Sequence, residues 1–195
     1  MLEKEKNTMI SVEGSGGRFR WIAITALFLA IGMILRLVTP SVAGITPNWL
    51  ISMYCLAILI IRPSLGQGVG IGLVAGAVSL ATSKAIFPYA SLGSELVGAV
   101  VCTLLVAMPM GEVRFKFNFK PLLVGLISTL CSGFTFVSIT KIAVNVPMQV
   151  YLYGMLPVVL TVAVVNSVIT QTLYFPANKL FNRSQAAAAA EDEKE

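Results

Sequence analysis

Residues 65–110 read LGQGVGIGLVAGAVSLATSKAIFPYASLGSELVGAVVCTLLVAMPM. Two apolar runs, 65–87 and 92–110, are broken at Phe87-Pro88. Each has roughly the 20 residues that a helix needs to cross a bilayer. The short alternating segments of an outer-membrane barrel are not seen here. Lys84 and Glu95 are the only charges in the stretch, and Glu95 is the only acid between Glu13 and Glu112. A charge at membrane depth is costly, so an ionisable residue there points to function. From sequence alone, Lys84 and Glu95 fit either a structural ion pair across a short loop or a ligand site carrying both signs of charge.

The same pattern extends in both directions. Phe19 to Val38 is long enough to span, and too long for a signal-peptide core. Trp49 to Ile61 is short and would need residues 45–47 or a locally thin bilayer to cross. Pro121 to Ile142 and Val150 to Phe175 complete the set. Breaks fall at Thr39-Pro40, Arg62-Pro63, Phe87-Pro88, 111–120 and 145–147, where proline and glycine punctuate the chain. The chain is 56% hydrophobic and 12% charged, with a mean hydropathy of +0.85. Soluble domains carry roughly twice that charged fraction. The expected fold is therefore an all-α integral membrane protein, a bundle of six transmembrane helices over residues 19–178. Residues 1–18 are expected to form a flexible cytoplasmic leader, and 179–195 a disordered cytoplasmic tail.

Orientation follows from Lys and Arg. With both termini in the cytoplasm of a cell-membrane protein, eleven of the fourteen basic residues lie inside, and only Arg36, Lys84 and Lys141 lie outside. That placement accounts for the net charge of +5 without nucleic acid as a partner.

Several chemistries are excluded. The chain has no histidine, which removes the commonest metal ligand and general base. Cys55, Cys102 and Cys131 sit in apolar runs without metal-ligand spacing and read as inert thiols. No Walker lysine motif is present, and no nucleophile has a nearby base. No enzyme activity, metal or cofactor is therefore expected. Gly70-Ile-Gly72-Leu-Val-Ala75 matches a dinucleotide fingerprint only by letter, since no strand precedes it. With Gly68 and Gly76, Gly72 instead forms a close-packing helix face.

Two groups of residues stand out. Ala23, Ala26 and Ala30 form a smooth strip on the first helix, suited to packing within the bundle or to docking a partner subunit. Arg36, Asn48, Trp49, Lys84, Tyr89, Glu95, Lys141, Asn145 and Gln149 collect at the external end, with Tyr151 and Tyr153. Their cations can hold a carboxylate, Glu95 an amine, and the aromatics a planar ring. Ser128, Ser132 and Thr135 read as helix-packing hydroxyls. Asn166, Ser167, Thr170 and Gln171 make two i, i+4 pairs that face the bundle interior or its cytoplasmic end.

The first-helix segment ITALFLAIGMILRLVTP, with Ala26-x-x-x-Ala30, resembles the docking motif of the substrate-binding S components of energy-coupling factor (ECF) transporters. The short second helix and the six-helix count resemble them too. The resemblance to the family covers residues 20–178, and within the family the run ALFLAIG…TP…GITPNW is most similar to the tryptophan-type S components. It departs from them at Thr46-Pro47-Asn48, where a lysine, a proline and an acid are the rule. Glu95 falls near an acid of their fourth helix. The resemblance implies an ABC-type importer without ATP motifs of its own. The subunit would capture a vitamin-like or amino-acid solute, such as tryptophan or another aromatic zwitterion, on the outside. It would then dock its alanine strip on a membrane scaffold (T) subunit driven by two ATPase subunits. The contrasting expectation is a structural scaffold subunit of the MreD type, with no transported ligand.

Overall fold

The computed structural model describes residues 20–40, 47–108 and 119–192. The expected leader and the basic loop around Arg114 and Lys116 lie outside the described residues. The described fold is all-helical: α1 (Arg20–Val38), α2 (Trp49–Ile61), α3 (Leu65–Thr82), α4 (Ala90–Ala107), α5 (Lys120–Val144) and a composite α6. α6 opens with one turn, Met148–Val150, passes through a π-helical stretch, Tyr151–Met155, and continues as Leu156–Asp192. All except α2 are long and apolar enough to cross a membrane, which makes the chain a multi-pass membrane protein.

α2 spans only about 20 Å, short of the roughly 30 Å hydrocarbon core. Every residue from Leu50 to Leu59 is buried, and α2 packs against all five other helices. A helix that is apolar all round belongs in an interior, and here that interior is the bundle centre.

The connections follow local chemistry. Arg62 takes a left-handed conformation (φ 51°) to end α2. Ser64 then caps α3: its Oγ accepts from Gln67 N, while Gln67 Oε1 accepts from Ser64 N. α3 stops at Thr82, five residues before the end expected from hydropathy. Beyond it, Ser83 Oγ accepts a hydrogen bond from Ala85 N, and Pro88 disfavours helix at Phe87. Asn145, also left-handed (φ 52°), ends α5 two residues before Pro147.

α6 passes the expected end at Phe175 and continues through Pro176. Packing offsets the proline: Leu173, Tyr174, Ala177 and Phe181 cover the cluster of Ile24, Phe28, Met53 and Leu56. The Phe28 and Phe181 rings lie 5.7 Å apart. The helix runs on to Asp192, through the stretch read from composition as an unstructured tail. Its alanine run, 186–190, has the highest intrinsic helix propensity.

Gly68, Gly72 and Gly76 share one close-packing face of α3, as their spacing predicts, and that face meets α4. A Cβ on Gly72 would lie 2.9 Å from Leu96 Cα, and one on Gly76 3.0 Å from Leu92 Cα. The two backbones are nearly in contact, which brings Ser79 beside Glu95. Gly72→Ala is therefore expected to destabilise the fold by about 1–3 kcal/mol, because neither backbone can give way locally. Thermal unfolding of the detergent-solubilised protein checks this, and an unchanged midpoint would contradict so close an approach.

Candidate functional site

A cavity of about 450 Å³ opens at one end of the bundle. It lies among the C-terminal ends of α1 and α3, the N-terminal ends of α2 and α4, the second half of α5 and the start of α6. Its volume falls in the range of small-molecule sites, about 300–1,000 Å³.

One wall is polar and is built around Glu95, which is 2% exposed. Glu95 Oε1 accepts hydrogen bonds from Asn48 Nδ2 (3.0 Å) and from Ser79 Oγ (3.0 Å). Ser79 Oγ in turn accepts from Arg36 Nη1 at 2.6 Å. The arginine and the carboxylate are thus joined through one hydroxyl, three helices meeting at a single oxygen. Glu95 Oε2 is enclosed in the bundle, as is the hydroxyl of Tyr54, which belongs to the surroundings of the carboxylate. Lys84 lines the mouth and is exposed, and neither carboxylate oxygen pairs with it. The two charges highlighted by the sequence are therefore on the same cavity but do not form a structural ion pair.

The other wall is apolar: Phe136 and Val137 of α5, with Met155, Val158, Val159 and Val162 of α6. Gly133 lets these helices close together, since a Cβ there would lie 2.7 Å from Val159 Cγ1. Thr129 and Ser132 line the cavity between the two walls. Such a site offers a carboxylate, two cations and a large apolar surface to one small molecule. Among the described residues, no group of His, Cys, Asp and Glu could hold a metal ion.

Of the nine external-end candidates, Arg36, Asn48, Lys84 and Glu95 line the cavity. The other five lie elsewhere. Trp49 packs into the α1–α2–α6 cluster. Tyr89 is 64% exposed, with its ring against Phe87 at 5.8 Å. Lys141 Nζ sits 5.1 Å from the centroid of the Tyr151 ring, whose hydroxyl is 3.1 Å from Ser138 Oγ. Asn145 and Gln149 are exposed on the α5–α6 turn. Sharing an end of the bundle was legible, but which way a side chain turns on an all-apolar helix was not.

Sequence reasoning missed Ser79, Thr129 and the apolar wall, none of which carries a signal above ordinary membrane-helix composition. It took Ser132 as packing, whereas Ser132 lines the cavity. Thr135 does bond its own helix, donating to the Cys131 carbonyl at 2.7 Å. Asn166 faces the interior, one of the two placements its spacing allowed, and is fully buried. Gln171 is at the far end, accepting from Leu122 N at the start of α5.

Ala23, Ala26 and Ala30 are all exposed on the outer side of α1. Gly32 is the small residue of α1 that faces inward, where a Cβ would meet Met53 and the Trp49 carbonyl. Among the described residues, then, the alanine strip is not packed against another helix of the bundle.

Comparison with known proteins bears on this site. No solved structure matches the chain. It is 26% identical over 164 residues to a "Probable tryptophan transport protein" of Clostridium acetobutylicum, covering 81% of this chain and 91% of that relative. A family model described as "Tryptophan transporter TrpP" matches residues 18–182. The resemblance to tryptophan-type S components noted in the first helix thus holds over nearly the whole chain, which belongs to the tryptophan transporter TrpP family.

Proposed function

We propose that this chain is the tryptophan-binding membrane subunit of an energy-coupled importer. The observation that carries it is the two-walled cavity, whose features match the three parts of the ligand. The indole lies on the apolar wall of α5 and α6. The carboxylate meets Arg36 and Lys84, and the ammonium meets the Glu95 carboxylate. Glu95 lines the cavity, and Asn48 and Ser79, both donating to its Oε1, fix the carboxylate there.

The cavity end is the external one if both termini are cytoplasmic, and the positive-inside count supports that orientation. Arg62 and Lys120, which line a small recess at the opposite end, fit it too. The exposed alanine strip is then the face that docks on a scaffold subunit, with two ATPase subunits supplying the energy this chain has no motif to provide.

Titration of the purified, detergent-solubilised protein with tryptophan tests the ligand. Saturable binding near one per chain is expected. Tryptamine, which lacks the carboxylate, and indole-3-propionate, which lacks the amine, should each bind about 10–100-fold more weakly, one charge-assisted hydrogen bond being lost in each case. Equal affinity for all three would remove the polar wall from recognition. No binding at all would favour a structural scaffold without a ligand.

A further inference from the structure

The α2 N-terminus is built in an unusual way. Asn48 is its N-cap residue, and an N-cap asparagine ordinarily turns its side chain back to accept from the first-turn N–H groups. Asn48 makes no such bond. Its Nδ2 donates away from the helix, to Glu95 Oε1 at 3.0 Å. The Asn48 backbone is held instead by a residue far along the chain: Asn166 Oδ1 accepts from Asn48 N at 3.2 Å, and Asn166 Nδ2 donates to Asn48 O at 3.2 Å. A side-chain amide carries an acceptor and a donor side by side, and so pairs with the N–H and C=O of one residue as a neighbouring strand would. Asn166 is itself locked. It is fully buried, its Nδ2 also reaches Thr129 Oγ1 at 3.4 Å, and its carbonyl accepts from Thr170 Oγ1 at 2.8 Å.

We infer that Asn166 is a positioning residue for the amine-binding end of the cavity: it clamps the main chain of Asn48, which leaves the Asn48 side chain to orient the Glu95 carboxylate. This rests on the tryptophan-binding reading above and adds a residue to it that does not line the cavity. A merely structural asparagine would steady α2 as a whole and affect every ligand alike. A positioning asparagine acts through one carboxylate, and so affects only ligands that bear the amine.

The test measures the affinity of tryptophan and of indole-3-propionate for the full chain, Asn166→Ala, Asn48→Ala and the double variant. In Asn166→Ala, tryptophan binding is expected to weaken about tenfold or more, as for loss of an oriented hydrogen bond to a charged group, with indole-3-propionate unchanged. The double variant is expected to bind tryptophan no worse than Asn48→Ala, because both changes break the same link. Asn166→Leu keeps the shape but loses both the acceptor and the donor, and adds no charge. It should show the same selective loss, and it serves if Asn166→Ala does not fold. Equal losses for both ligands, or additive losses in the double variant, would overturn the positioning role and leave tryptophan binding standing. Failure of the parent chain to bind tryptophan would overturn the ligand assignment, and this inference with it.

Discussion

Glu95→Gln is expected to lower tryptophan affinity by roughly 30- to 3,000-fold, the largest single loss of any polar change in the cavity. Removing one partner of a buried charge pair costs about 2–5 kcal/mol, and each 1.4 kcal/mol is tenfold in affinity. The substitution is nearly isosteric. Its carbonyl oxygen can still accept from Asn48 Nδ2 and Ser79 Oγ, the two donors that hold Oε1. The links from α4 to α2 and α3 therefore survive, and the fold with them. What is lost is the negative charge facing the ligand ammonium. Calorimetric titration of parent and variant, with a thermal melt of each, separates the two effects. A variant that melts like the parent and binds tryptophan as tightly would reduce Glu95 to a strut between helices.

Ala26→Trp and Ala30→Trp are expected to have the opposite signature. Uptake by cells expressing either variant with its partner subunits should fall by more than about tenfold, while tryptophan binding by the purified chain stays at the parental value. Helices in lipid associate through close packing of small residues, and an indole on that strip holds a partner helix away. The strip is exposed on the outer side of α1, so the new ring meets neither the bundle core nor the cavity. Parental uptake by both variants would show that whatever couples this chain to its energy source docks elsewhere.

The two predictions rest on parts of the molecule that were unequally legible. The alanine strip was visible as a spacing, yet the spacing fits inward and outward packing equally well. The folded bundle turns Gly32 inward and leaves the alanines exposed. Glu95 was visible because a lone acid in an apolar chain is conspicuous. Its partners were not. Ser79 and Asn166 are ordinary membrane-helix residues by composition, and they meet Glu95 and Asn48 across sequence separations of 16 and 118. Trp49 shows the reverse: an aromatic next to a residue lining the cavity, yet turned into the α1–α2–α6 cluster.

What the sequence by itself determined is what depends on local chemistry. Apolar length made the helices, proline, glycine and left-handed caps placed their breaks, and the glycine spacing on α3 set its contact with α4. The run of basic residues suggested an orientation, and one acid marked one end. What only the tertiary structure decided is the rotation of each helix about its axis and the depth of each in the bundle. That is why α2 proved to be the central helix, and why the cavity has an apolar wall from α5 and α6. In a soluble protein, water sorts the faces, and the hydrophobic period records the sorting. In a bilayer, lipid and core are equally apolar, so a helix carries little record of which face turns inward, and packing alone supplies it.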